Sequence, residues 1–144
     1  MIRQSCIVGV LLGCMLLLVP ACDDEPPKRK HIDVLRNKLR RLEKAVVARD
    51  RAAIDSLLSV QILDEGQSSD SLLNFIYGPE RGFPLAGLSL IEMLYTGDKA
   101  RIDVEIVDTT GRHRRPATFT LVYEHDQWLF KKFEPGLTET AEPQ

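Results

Sequence analysis

Cysteine is absent from residues 23–144, because the only three cysteines of the chain are Cys6, Cys14 and Cys22. A catalytic thiol, a CxxC redox pair and a cysteine zinc site are therefore excluded from that part of the chain. The sequence also lacks a nucleophile-elbow serine, a glycine-rich phosphate-binding loop and an HExxH zinc-protease helix. No motif therefore specifies an enzymatic reaction.

Histidine is scarce as well, with His31, His113 and His125 as the only three. None of them has a carboxylate or a second histidine at the spacing that metal ligands usually show. The sequence therefore predicts neither a metal site nor any other cofactor.

An excess of charge of one sign is also missing, since 19 Lys and Arg stand against 21 Asp and Glu, a net charge of -2. This excludes a wholly basic nucleic-acid binder and a wholly acidic disordered chain. The average conceals a division along the chain. Residues 28–51 hold ten cations and three acids, a net charge of +7, whereas residues 52–144 hold eight cations and fifteen acids, a net charge of -7. No nucleic-acid partner is predicted.

An uncharged and mainly apolar run of 14 residues extends from Cys6 to Val19. A bilayer span needs about 20 residues, whereas a run of this length suits the apolar region of a signal peptide. The run ends in the sequence LVPAC, at residues 18–22, and the acidic, proline-containing sequence DDEPP follows it.

This ending resembles the lipobox of bacterial lipoproteins, which has an aliphatic residue three positions before an invariant cysteine and a small residue directly before it. The resemblance implies cleavage between Ala21 and Cys22, a diacylglycerol on the Cys22 sulfur and an acyl chain on its new amino group. Pro20 departs from the residue usual at that position. A second match ends at Cys14, and an ordinary secretory signal or an uncleaved anchor is the alternative.

Two or three acyl chains anchor a protein stably, whereas one binds reversibly. The resemblance therefore implies a lipid-anchored domain of the bacterial cell envelope, whose partner is the membrane. Asp23 resembles the inner-membrane retention signal, which favours the inner membrane facing the periplasm and leaves the outer membrane possible. The expected division is a signal peptide at 1–21, an acidic tether at 22–30, a folded domain at 31–134 and a disordered tail at 135–144.

Helical periodicity dominates the first half of the folded domain. Five apolar residues are spaced 3, 4, 3 and 4 apart and therefore form one stripe along a predicted helix: Ile32, Leu35, Leu39, Leu42 and Val46. The cations of this segment are predicted to lie around the opposite side of the helix. Asp50 is predicted to cap a second helix over residues 51–58. Residues 72–77 are predicted to form a third helix, which Gly78 and Pro79 end.

The second half changes to the alternation of strands. Residues 101–106, 117–124 and 128–133 read as three strands, and residues 88–96 as a strand or a short helix. The predicted class is therefore α+β, with N-terminal amphipathic helices packed on a curved, cone-like antiparallel sheet of about four strands.

Residues 30–135 resemble the nuclear transport factor 2-like and cystatin-like lipoproteins of bacteria. The matching parts are the long amphipathic helix, the segment 48–54 and the closing strands that contain Trp128, Leu129 and Phe130. The resemblance implies a cone-shaped fold. Enzymes with this fold place an acid or base inside the cone, where apolar walls raise the pKa of a carboxyl group.

No catalytic residue is predicted here, because Asp103 and Glu105 alternate with apolar residues and share their face with Arg101. Four aromatic residues of the last two strands could line a ligand pocket or could instead form the core: Phe119, Tyr123, Trp128 and Phe130. Three arginines of the first helix could contact anionic lipid headgroups, or they could serve only to keep the helix soluble: Arg36, Arg40 and Arg41.

The sequence thus predicts a non-enzymatic envelope lipoprotein whose domain binds a partner protein or a small apolar ligand. One alternative is an enzyme of the cyclase or isomerase type with a pocket in the cone. The other is a module that oligomerises through its first helix, which would require the leucine stripe to be exposed.

Overall fold

A computed structural model describes residues 27–78 and 82–136. The predicted signal peptide, Cys22 and residues 137–144 of the predicted tail lie outside the described residues. Four helices precede four strands: α1 (Pro27–Val47), α2 (Arg51–Asp55), α3 (Val60–Asp64), α4 (Ser69–Tyr77), β1 (Leu85–Thr96), β2 (Lys99–Asp108), β3 (Arg114–Glu124) and β4 (Gln127–Pro135). This order confirms the predicted α+β class.

The first helix begins at Pro27 and so includes part of the segment assigned to the tether. Proline is accepted in a first helical turn, because backbone N–H groups there have no intrahelical acceptor. The predicted apolar stripe is buried from Leu35 to Val46, with Leu35, Leu42 and Val46 completely inaccessible to solvent, whereas Ile32 at its start is only half-buried. The stripe therefore covers the sheet and is not available to a second helix.

Side-chain caps define the short helices that follow α1. Asp50 Oδ1 accepts the Ala53 N–H at 3.1 Å, which confirms Asp50 as the N-cap of α2. Helix α3 was not predicted from the sequence. Its N-cap is the buried Ser59, whose hydroxyl accepts the Ile62 N–H. Gly78, at a φ of 80°, ends α4 in a left-handed conformation that glycine adopts without steric cost.

The strands form one antiparallel sheet in the order β1-β2-β3-β4. Residues 88–96, for which the sequence left a helix possible, lie within β1. The β3–β4 turn consists of His125 and Asp126, whose φ angles of 51° and 61° are typical of a tight type I′ hairpin. This turn joins the two strands that the sequence predicts over residues 117–124 and 128–133.

The two faces of the sheet differ in chemistry, as the alternation predicts. Ile102, Val104 and Ile106 are buried against the helices. On the opposite face Asp103 pairs with Arg101 at 3.0 Å and accepts the Thr118 hydroxyl at 2.7 Å. The carboxylates of Asp103 and Glu105 therefore lie on the outer face of the sheet and not in the cone.

Tyr77, at the end of α4, connects this helix to the end of α1. Its hydroxyl donates to the Val46 carbonyl at 2.8 Å in a buried site, and the Arg49 guanidinium lies 4.3 Å from the centre of its ring. The hydroxyl thus satisfies one of the last carbonyl groups of α1, which have no intrahelical partner.

Replacing Tyr77 by phenylalanine is expected to lower the free energy of unfolding by about 1 kcal/mol, because the buried Val46 carbonyl would lose one of its two donors and keep only the Arg49 N–H. Urea unfolding followed through the emission of Trp128, the only tryptophan, measures the change. The control is Tyr123→Phe, at a residue 40% exposed, for which we expect less than about 0.5 kcal/mol. Equal effects of the two substitutions would contradict this role of Tyr77.

Candidate functional site

A pocket of about 430 Å³ lies where the first turns of α1 face the hairpin between β3 and β4. We call it the α1–hairpin pocket. Its volume falls within the range of small-molecule sites. It is lined by Lys30, His31, Val34, Lys38, Tyr123, Asp126, Gln127 and Trp128.

The helix wall of the pocket follows from the position of the apolar stripe. His31, Val34 and Lys38 are spaced 3 and 4 apart, so they form a second row on α1 directly beside the buried stripe. The stripe faces the sheet, and this neighbouring row therefore faces the sheet edge that carries the hairpin.

The opposite wall follows from the register of the hairpin. Tyr123 lies opposite Trp128, and both side chains point toward α1, with their ring centres 5.3 Å apart. The tight turn then places Asp126 and Gln127 at the mouth of the pocket. Trp128 is fully buried and forms the floor, whereas Tyr123 is 40% exposed.

His31 connects the two walls. The Trp128 indole N–H donates to His31 Nδ1 at 3.2 Å, which places the proton of the neutral imidazole ring on Nε2. The His31 ring also lies 5.3 Å from the ring of Tyr95 and 6.0 Å from that of Tyr123. The sequence indicated no metal-ligand partner for His31, and its hydrogen-bond partner Trp128 lies on a strand 97 residues away in the chain.

Lys38 is the unusual charge of this pocket, because only 9% of the residue is exposed. Its Nζ donates to Gln127 Oε1 at 3.4 Å, and no carboxylate of the described residues forms an ion pair with it. Burial, and then the nearby Arg41 charge, lower the pKa of the Lys38 amine. Placing every α1 cation on the solvent side was therefore wrong for Lys38, which borders the apolar stripe.

The structure separates the four aromatic residues that the sequence singled out. Tyr123 and Trp128 line the α1–hairpin pocket. Phe119 and Phe130 lie in the core, where their rings form an edge-to-face pair with centres 5.7 Å apart. Their inward-facing positions on adjacent strands account for this burial.

The basic residues proposed for headgroup contact, Arg36, Arg40 and Arg41, are all exposed on α1. Arg36 and Arg40 line a second depression, of about 350 Å³, between α1 and β1. Contact with lipid headgroups stays a prediction for all three.

An aspartate–histidine pair in the β2–β3 turn was missed at the level of sequence. Asp108 is 3% exposed, and its carboxylate accepts from the Thr110 hydroxyl, the His113 backbone N–H and His113 Nδ1, the last at 2.8 Å. The only signal for it was an Asp before a Thr-Thr-Gly turn. These contacts join the end of β2 to the residue before β3, so the Asp108–His113 pair stabilises the turn between the two strands.

No protein-family model matches this chain, and neither does any curated protein. Solved structures do resemble it. A designed NTF2 domain superimposes with a TM-score of 0.55 at 14% identity, over 74% of this chain and 99% of that one. A Campylobacter jejuni protein described as an NTF2-like transpeptidase gives 0.48 at 16% identity over 71% and 97%. A SEC-C motif-containing protein from Rhodopseudomonas palustris gives 0.49 at 11% identity over 65% and 71%.

The likeness to the designed domain shows that this chain has an NTF2-like fold, which confirms the fold implied by the resemblance in sequence. Among the described residues no helix is long and apolar enough to cross a membrane. The same residues contain no group of three or more His, Asp or Glu placed to hold a metal ion.

The Asp108→Asn substitution tests the role of the β2–β3 turn through acid stability. Desolvation raises the pKa of Asp108, but hydrogen bonds from His113 and Thr110 outweigh it and lower the pKa from 3.8 to about 2. A carboxyl group whose pKa is lower in the folded state stabilises the fold above its unfolded pKa, and this contribution is lost as the pH falls from about 4 to about 2. Wild type should therefore lose stability more steeply than Asp108→Asn across that window in urea unfolding. If the free energy of unfolding changed with pH in the same way in both proteins, the Asp108 carboxylate would not stabilise the turn.

Proposed function

We propose that this chain is a non-catalytic binding domain, held at a bacterial membrane through lipidated Cys22, and that the α1–hairpin pocket takes a small apolar ligand with an acidic group. The ligand class follows from the residues around the pocket. Val34 and Tyr123 offer exposed apolar surface, while Lys38 and His31 offer a positive charge and an N–H donor.

The observation that carries this proposal is Lys38, a residue only 9% exposed whose amine contacts the Gln127 side chain but no carboxylate of the described residues. A buried charge is costly unless a partner compensates it. An anionic group in the pocket would supply that partner, and a ligand with an apolar body would cover Val34 and Tyr123 at the same time. Asp126 is the one carboxylate of the pocket lining, against the two amines of Lys30 and Lys38.

The interior of the cone supports binding at the surface rather than catalysis within the fold. The inward-facing side chains of the described sheet are hydrocarbon or aromatic except that of Asp108, whose carboxylate is bonded to Thr110 and His113 at the end of β2. Every buried polar side-chain atom of the described residues has a hydrogen-bond partner. A cyclase or isomerase of this fold would need an acid or base in the cone. The oligomerisation alternative loses its basis because Leu35, Leu42 and Val46 are buried.

The tether supports the same proposal by position. Cys22 precedes His31 by nine residues, so lipidation would place the α1–hairpin pocket close to the membrane surface. A ligand with an apolar body and an acidic group also partitions to such a surface.

Binding of cinnamate, a soluble aromatic acid, tests the pocket. For the full chain in detergent we expect calorimetric binding and a change in Trp128 emission, with about tenfold weaker binding for Lys38→Met because the charge-assisted contact is lost. The matched control is Lys44→Met, at an exposed lysine of the same helix outside the pocket, which should bind like wild type. Equal loss in both variants would contradict the assignment.

The pH dependence of cinnamate binding has a predicted sign. Only the protonated Lys38 amine attracts the carboxylate, and the pKa of Lys38 lies below the ordinary 10.5. Affinity should therefore fall as the pH rises toward 10, earlier than for a solvent-exposed lysine, and this fall should be absent in Lys38→Met. Binding of the neutral amide of cinnamate should be weak at every pH.

Lipidation is tested by expressing the full chain in a bacterial host with an alkyne-labelled fatty acid. Cys22→Ala should lose the label and leave the membrane fraction, because no acyl chain would remain to anchor the domain. The control is Cys14→Ala, which removes the cysteine of the second lipobox-like sequence. This variant should keep the fatty-acid label and stay in the membrane fraction. A labelled, membrane-bound Cys22→Ala protein would overturn this part of the proposal.

A further inference from the structure

Strand β1 is an edge strand of the described sheet, because β2 is its only neighbour among the residues that the structure describes. An edge strand presents unpaired backbone groups and can accept another strand. Natural edges are usually protected by shortness or by charge. In contrast, β1 has twelve residues with Glu92 as its single charge, and it exposes Leu90, Ile91 and Leu94.

Glu43 of α1 shows which backbone groups face the free side of β1. Its Oε2 accepts the Leu88 N–H at 2.9 Å, so the backbone groups of Leu88 point away from β2. Alternate residues of an antiparallel strand direct their N–H and C=O groups to the same side. The groups of Leu90 therefore also face the free edge, up to the register shift between Leu90 and Glu92.

A groove of about 350 Å³ runs along this edge between β1 and α1. We call it the α1–β1 groove. Its floor is apolar and consists of Leu39, Leu88 and Leu90. Its rim carries Arg36 and Arg40, which lie one helical turn apart on the same side of α1. Glu43 is already bound to the edge, so the charge left facing an incoming chain is positive.

We propose that the α1–β1 groove docks an extended acidic segment of a partner protein, which adds a strand to the free edge of β1. One apolar side chain of the segment covers Leu39 and Leu90, and the flanking acidic side chains pair with Arg36 and Arg40. Glu43 is the intramolecular example of this recognition, since it is a carboxylate held at the strand edge beside the arginines. The groove lies on the opposite flank of α1 from the α1–hairpin pocket and does not depend on its ligand.

Charge distinguishes this occupant from a second copy of the chain. Antiparallel pairing of two β1 strands would bring two α1 helices onto the same face of the joined sheet, with the Arg36 and Arg40 side chains of both copies near each other. Like charges in contact oppose such pairing. An acidic segment satisfies the arginines and the strand edge together.

The test uses the full chain in detergent at low salt and a capped, fluorescein-labelled peptide of seven residues that alternates valine and glutamate. Fluorescence anisotropy should show saturable binding, whereas a matched peptide with lysine in place of glutamate should not bind. The double variant Arg36→Glu/Arg40→Glu should bind at least about tenfold more weakly. The control is Arg41→Glu, an exposed arginine of α1 outside the groove, which should stay within about twofold of wild type.

Strand addition has a second readout that charge attraction alone does not produce. The glutamate peptide should slow amide hydrogen exchange at Leu90 and leave the exchange of Leu129, in the opposite edge strand, unchanged. The proposal fails if the lysine peptide binds equally, if Arg41→Glu weakens binding as much as the double variant, or if Leu90 gains no protection. It also fails if Arg36 and Arg40 are needed only for binding to anionic vesicles, or if the chain dimerises through β1.

Discussion

The structure depends on one helix covering a sheet that is wider than the helix. Neighbouring strands lie about 4.8 Å apart, so four strands span about 14 Å between the outer axes, whereas a helix with its side chains is about 10–12 Å across. The stripe that includes Leu35, Leu42 and Val46 fills the middle of this span. Both flanks of α1 are therefore left with openings, the α1–hairpin pocket beside β3 and β4 and the α1–β1 groove beside β1. The two candidate sites are consequences of the same packing.

Side chains that satisfy backbone groups allow the interior to remain apolar. Tyr77 donates to the last turn of α1, and the Arg115 guanidinium donates to the Phe75 and Ile76 carbonyls at the end of α4. Such groups at helix ends would otherwise need water. Because these groups find partners within the protein, the described interior stays apolar apart from Asp108, which is bonded to Thr110 and His113. The polar atoms available to a ligand lie at the two flanks of α1.

Periodicity explains why the elements could be predicted and several contacts could not. The stripe on α1, the Asp50 cap and the alternation in β2 depend on residues near in sequence, and all three are confirmed. Helix α3 was missed because its five residues are too few to show a period. The contacts of His31 with Trp128 and of Lys38 with Gln127 join residues 97 and 89 positions apart. Only the packing of α1 on the hairpin brings them together, and no local pattern contains that information.

The burial of Lys38 is the clearest case in which the position of a residue on a helix outweighs its type. An isolated amphipathic helix would place this cation on its polar side, yet Lys38 lies three residues after Leu35 and four before Leu42 of the stripe, and the β3–β4 hairpin closes over that flank. Its methylene groups can bury apolar surface while the amine reaches Gln127. A hydrophobic residue there would pack with less desolvation cost. A carboxylate that entered the pocket would offset the cost of burying this charge. The amine, rather than the aromatic floor, is therefore the group on which the proposed anionic ligand rests.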